Sequence, residues 1–396
     1  MRRSIFVLLA LLAAFGFVLA GCGAPAPKVI KIATQSPLSG GMSAVGTDIK
    51  NGAQLAIEQL SGPLVKLGFK VELAAFDDQG NPDTGVANAK SIVADPAVLA
   101  VVGHYNSGVQ IPSSEEYHAA TLVNISPANT NPKVTDRGYA EVNRICGRDD
   151  VQGAVGAQFA ASKGIKTAYV LHDKTAYGQG IAEYFKRQAE TLGIKVLGFE
   201  GTEEKANFDS ILSPILSAKP QVIYFGGMFD QSAVLFKQAR QKGYTGMYLS
   251  DDGFDASDAA KIGGDSLLKG AGTYFSTVSG PASVYPGTAK FVADFKAKFN
   301  AEPQPFAAQA YDCAAIALKA IENATVAAGK KMPARADVTK AVRSLKDFPG
   351  ITGSMNFNAK GDLTKAKYFI IQVTSADPAG WSSNKIDQTL DIEPPQ

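Results

Sequence analysis

Four short segments of this sequence carry residue types able to hold the two ends of a small zwitterion. In Gly103-His104-Tyr105-Asn106-Ser107-Gly108, Ser107 stands where a helix should begin, so its hydroxyl and the first-turn N–H groups suit a carboxylate. The same serine would serve equally as a plain helix cap. In Ser126-Pro127-Ala128-Asn129-Thr130-Asn131-Pro132 two prolines hold an extended turn whose main chain can meet the same anion. His172-Asp173-Lys174-Thr175-Ala176-Tyr177-Gly178 and Ser250-Asp251-Asp252-Gly253-Phe254 supply carboxylates and a phenol. A carboxylate facing a cleft would pair with an ammonium group, a charge-assisted bond of roughly 1.5–3 kcal/mol. Asp251 or Asp252 would serve equally as a helix cap.

Catalysis finds little support. The chain has 3 histidines, His104, His118 and His172, with no H-E-x-x-H and no G-x-S-x-G, so neither a metal site nor a cofactor is implied and each histidine reads as a loop hydrogen-bonding group. Gly103 and Gly108 have the glycine spacing of a phosphate-binding loop, but Val109-Gln110 stand where Lys and Ser/Thr must be. Cys146 and Cys313 either pair in an oxidising compartment or sit apart as small buried apolar residues.

The elements that must position these segments follow a βαβ grammar. Residues 29–34, 70–76, 98–102 and 121–125 read as strands, and Ile49, Ala53, Ile57 and Leu60 mark a helix face. After Arg148-Asp149-Asp150 the pattern restarts, with strands at 166–171, 195–199, 221–225 and 247–250 and a helix face of Ile181, Phe185, Ala189 and Leu192. Two sets of four or five strands imply two doubly wound α/β lobes, and in such parallel sheets ligands sit beyond the carboxyl ends of the strands, where all four segments lie.

Arg2 and Arg3 followed by an uncharged apolar run from Ile5 to Ala20 read as a secretory signal rather than a mature helix. The run ends in Leu19-Ala20-Gly21-Cys22, which resembles a bacterial lipobox. Residues 1–21 are thus expected to be a lipoprotein signal peptide, Cys22 the lipid attachment site and 22–27 a tether, which places the protein outside the cytoplasm on a membrane anchor. Without Arg2 and Arg3 the mature chain has 37 basic and 37 acidic residues, a balance that argues against a nucleic-acid partner.

The ordered set Ser36-Pro37-Leu38-Ser39-Gly40, Val102-Gly103-His104, Ser126-Pro127-Ala128-Asn129-Thr130, His172-Asp173-Lys174, Tyr177-Gly178 and Phe225-Gly226-Gly227 spans nearly the whole mature chain. It resembles the branched-chain amino acid (leucine/isoleucine/valine) binding proteins of ABC importers, of the periplasmic-binding-protein type I fold. The resemblance implies an α/β fold of two Rossmann-like lobes with parallel-rich central sheets, joined by three crossover hinges near Gly147, Val278 and Met355. Residues 28–148 and 278–354 would form lobe 1, and 149–277 and 355–396 lobe 2. It implies that Ser107, Ala128 and Thr130 hold a ligand carboxylate, that Tyr177 and Asp252 address its ammonium group, and that Phe306 walls its aliphatic side chain. Val45 stands where relatives often carry an aromatic residue and Met228 where a tyrosine is expected, so the side-chain pocket is altered; Gly80 and Asn106 occupy the positions of the family's first-lobe disulfide. The implied role is a monomeric, non-catalytic clamp that closes on a small amino acid and delivers it to permease subunits. The same clamp would also suit an aromatic carboxylate or a small amide, or a ligand sensor.

Overall fold

The computed structural model describes residues 28–395; the expected signal peptide, Cys22 and the tether lie outside the described residues. Two sheets organise the chain. The first has the order β2-β1-β3-β4-β5 and consists of Lys28–Ser36 (β1), Phe69–Asp77 (β2), Val98–Gly103 (β3), Val123–Ser126 (β4) and Val142–Arg144 (β5), all paired in parallel. β3 and β4 are buried along their whole length, as expected of strands covered by helices on both faces.

The second sheet comprises Thr167–His172 (β6), Lys195–Gly201 (β7), Val222–Gly226 (β8), Met247–Ser250 (β9) and Thr273–Thr277 (β10), all parallel. A hairpin of Phe348–Gly350 (β11) and Gly353–Met355 (β12) stands apart. Ala366–Gln372 (β13) and Lys385–Ile392 (β14) then join the second sheet antiparallel, giving the order β14-β13-β10-β9-β8-β6-β7. The fold is therefore α/β with parallel-rich sheets. In each sheet the chain order reverses at one place, between β1 and β3 and between β6 and β8, and the loops at these switch points converge on one gap.

Helices bury the sheets through close backbone approaches. A Cβ at Gly52, in the Ser43–Leu60 helix, would collide with the carbonyl oxygen of Ala307, which opens the 21-residue Ala307–Ala327 helix. In the other lobe Gly153 of the Asp149–Ser162 helix lies against Ile181 and Phe185 of the Ala176–Thr191 helix.

At the crossovers Arg144 Nε meets Asp362 Oδ1 at 2.6 Å, and Arg148 Nη1 meets Asp362 Oδ2 at 3.0 Å. Arg343 donates to the carbonyls of Val142, at 2.9 Å, and Ala359, at 2.7 Å, so residues 356–362 remain attached to the first sheet's side. We therefore place the third crossover after Asp362, downstream of the position expected near Met355. Burial works to raise the Asp362 pKa, but the Arg144 and Arg148 guanidiniums outweigh it and hold this carboxyl below its ordinary value.

Candidate ligand-binding cleft between the lobes

On the first lobe, Ser107 is the first residue of the Ser107–Ala119 helix and Asn106 occupies the cap position, so the serine is not spent as a cap. Its hydroxyl accepts the Asn131 N–H at 3.3 Å and keeps its own proton to donate into the gap. The N–H groups of Ser107 and Gly108 lie in the first turn, where a helix has no carbonyl for them. The 126–132 loop folds around Ser126, whose hydroxyl accepts the N–H groups of Ala128 (3.2 Å) and Asn129 (2.9 Å). With its N–H so engaged, Ala128 can present only its carbonyl to the gap. Thr130 is buried and its hydroxyl has no partner within the protein.

On the second lobe, the two aspartates after β9 divide their duties. Asp251 accepts the N–H of Gly227 at 3.0 Å and of Gly253 at 3.1 Å, which makes it the cap. Asp252 instead accepts the Tyr177 hydroxyl at 2.7 Å. Gly178, Gly226, Gly227 and Gly253 let these strand-end loops touch: a Cβ at Gly178 would strike the Gly226 carbonyl, and one at Gly253 the Gly227 carbonyl. Burial raises the pKa of both Asp251 and Asp252, and the mutual repulsion of the pair adds to the rise at Asp251; for Asp252 the Tyr177 hydrogen bond offsets part of the effect.

The two sets of loops face each other closely. Asn131 Nδ2 donates to the Ala176 carbonyl across the gap at 2.7 Å, and the open face of Gly108 is 4.0 Å from the Ala176 side chain. The lobes thus stand closed, with Ser107, Ala128, Thr130, Tyr177 and Asp252 all buried. Phe306, on the first lobe, is fully enclosed and meets Tyr105 edge-on at 6.0 Å. Its φ of 71° is a left-handed conformation unfavourable for an aromatic residue, held by its N–H donating to Ser279 Oγ at 3.1 Å. Met228 caps the Phe229–Gln241 helix on the second lobe, while Val45 lies in the hydrophobic core with no exposed surface. Asn106 and Gly80 are neighbours, the Asn106 oxygen lying 3.4 Å from where a Gly80 Cβ would be.

Two further residues belong to this gap. Asp149, at the start of its helix, is completely buried with neither oxygen hydrogen-bonded, and burial followed by the charge of Asp252 raises its pKa. Tyr105 is buried with an unpartnered hydroxyl. Each follows a strand end, at β5 and β3, which is the signal that could have found them.

The histidines serve the scaffold: His104 Nε2 lies 3.1 Å from the Tyr117 hydroxyl, His118 pairs with Glu141 at 2.8 Å, and His172 Nδ1 accepts the Lys174 N–H at 3.1 Å. Cys146 and Cys313 are free, buried thiols, and burial raises the pKa of each.

A profile of the family described as "Periplasmic binding protein" matches residues 29–378. The chain belongs to this family. Like this periplasmic binding protein in sequence are the Leu/Ile/Val-binding protein homolog 1 of Brucella abortus, 31% identical over 91% of this chain and 94% of the relative. So too is the leucine-, isoleucine-, valine-, threonine- and alanine-binding protein of Pseudomonas aeruginosa, 33% identical over 88% of this chain and 90% of its own. Among solved structures, the leucine binding protein LivK of Thermotoga maritima superposes with a TM-score of 0.80 at 30% identity, covering 91% of this chain and 98% of that one. For a periplasmic binding protein the family implies an extracytoplasmic location, and no helix among the described residues is long and apolar enough to cross a membrane.

Proposed function

We propose that this protein clamps a small amino acid, of the leucine/isoleucine/valine class, as the extracytoplasmic solute-binding component of an ABC importer. The observation that carries this reading is the opposition of an anion cradle at Ser107 and Thr130 to the Tyr177–Asp252 pair across one closed gap. A carboxylate fits the first-turn amides and hydroxyl of Ser107 with the Thr130 hydroxyl, and an ammonium group fits between Asp252 and the unpartnered Asp149. The aliphatic side chain would then lie toward Phe306, with Met228 contributing from the other lobe. The names of the relatives from Brucella, Pseudomonas and Thermotoga support the amino-acid class.

Closure follows from the ligand bridging both lobes: it favours the closed form by whatever contacts the open form lacks. Cys22 would anchor the mature chain to the membrane by acyl chains, leaving the clamp to deliver its ligand to permease subunits as a monomer.

The test is a calorimetric titration of the mature protein with leucine, leucinamide and 4-methylpentanoate. Leucine should bind, and loss of either charged end should weaken binding by a factor of about 10 to 150, the worth of one charge-assisted bond. Binding of 4-methylpentanoate as tight as that of leucine would sink the zwitterion reading.

A further inference from the structure

Tyr105 stands two residues before Ser107, and its ring edge packs on Phe306 with a 63° interplanar angle. Together these rings make one wall, whose single polar atom is the Tyr105 hydroxyl. That hydroxyl has no hydrogen-bond partner, and the carboxylate charges that act on it come from Asp252, Asp255, Asp230 and Asp251, all of the opposite lobe. Burial, then these charges, push the phenol's pKa up, which keeps its proton in place to donate.

Each of the four carboxylates already has a donor of its own. Asp252 takes the Tyr177 hydroxyl, Asp251 takes the Gly227 and Gly253 amides, Asp255 takes Trp381 Nε1 at 2.9 Å, and Asp230 takes Lys205 Nζ at 3.0 Å. The unsatisfied group facing them is therefore a hydrogen-bond donor and not an unpaired negative charge. A second cation on the ligand has no partner left to it here, and an anionic side chain would be repelled by all four.

Resting on the amino-acid-clamp reading, we infer that Tyr105 sets the specificity of the cleft for an amino acid whose short side chain carries a neutral hydrogen-bond acceptor, a hydroxyl as in threonine or serine. A buried donor left unmade penalises the isostere lacking the acceptor, whereas a purely apolar wall discriminates weakly against an added hydroxyl. Threonine and valine have nearly the same shape, so their ratio of affinities isolates this one bond.

The experiment is a calorimetric comparison of threonine with valine, and of serine with alanine, on the mature protein and on Tyr105→Phe, with lysine as a charged control. Wild type should bind threonine about tenfold more tightly than valine. In Tyr105→Phe the ratio should fall to about one, with valine bound as tightly as before or more tightly and the thermal midpoint kept. A threonine-to-valine ratio unchanged by Tyr105→Phe overturns the inference, as does lysine binding more tightly than threonine. Tight valine with weak threonine in wild type overturns the inference and leaves the clamp reading standing, whereas no heat from any amino acid overturns the clamp reading itself.

Discussion

Asp252→Asn should have opposite effects on ligand binding and on the stability of the empty protein. The substitution is nearly isosteric and keeps an oxygen to accept the Tyr177 hydroxyl, now 2.7 Å away, so the local geometry should hold. Removing the charge takes away the attraction to a ligand ammonium, a loss of roughly 1.5–3 kcal/mol or about 10- to 150-fold in affinity. In the unliganded protein the same charge is desolvated and repels Asp149 and Asp251, both fully buried. Neutralising it should therefore raise the melting temperature, by about 2–4 °C for each kcal/mol recovered in a lobe of this size. Because Asp252 has a raised pKa, wild-type affinity should also weaken as the solution is acidified and the carboxylate gains a proton, while Asp252→Asn should show a shallower profile, set by Asp149. The assay is isothermal titration across pH together with calorimetric melting without ligand. An affinity change below threefold, or a lower melting point for the empty variant, would refute the reasoning.

Other outcomes follow from the same physics. Burial raises Asp48 and Asp312 to about 6 and Asp255 to about 7, above their unfolded values, so the stability they contribute is full below about pH 4 and is lost as pH rises through 6 to 7. Asp362, held low by its arginines, acts only below that window, so the unliganded protein should melt at a higher temperature at pH 5 than at pH 8; equal or reversed midpoints would contradict this. Asp362→Ala leaves the buried Arg144 guanidinium without its carboxylate and should cost about 3–5 kcal/mol, seen as a lower urea midpoint. Met228→Tyr should change the ranking of side chains in a calorimetric panel and leave the carboxylate requirement intact; a uniform loss for every ligand would count against the placement of Met228 in the cleft.

Much of the fold was legible because buried parallel strands announce themselves. The apolar run at 98–102 is β3 extended by one residue, and 247–250 is β9 as observed. Errors fall where periodicity meets a chain turn. Thr121 reads as strand but has a φ of 51°, and β4 begins only at Val123. Leu60 and Leu192 continue their helical stripes yet are exposed, at 38% and 41%, because the helices end as the stripe rotates away from the sheet. The seven strands of the second sheet exceed the four or five expected, since β13 and β14 lie far down the chain and pair antiparallel, outside the βαβ grammar.

Strand ends in the sequence pointed to the loops that carry Ser107, Thr130, Tyr177 and Asp252, and the roles given to these four came from the family resemblance. The division of labour between Asp251 and Asp252 was not legible, because it depends on which carboxylate the Gly227 and Gly253 amides reach. Asp149 and Tyr105 also follow strand ends, but what sets them apart from their neighbours there is the bonds they lack, a property no residue pattern records.

The fastening of Arg144 and Arg148 to one carboxylate at Asp362 has a mechanical consequence. Two stretches of backbone more than 200 residues apart are riveted side by side before either leaves the first sheet, and the Arg148 N–H is tied in turn to the Tyr368 hydroxyl at 2.9 Å. In the proposed clamp they would pivot as a single leaf, with sliding and shearing suppressed and swinging about the shared line kept. Such a joint would bring the same two rims of the mouth together at every closing stroke.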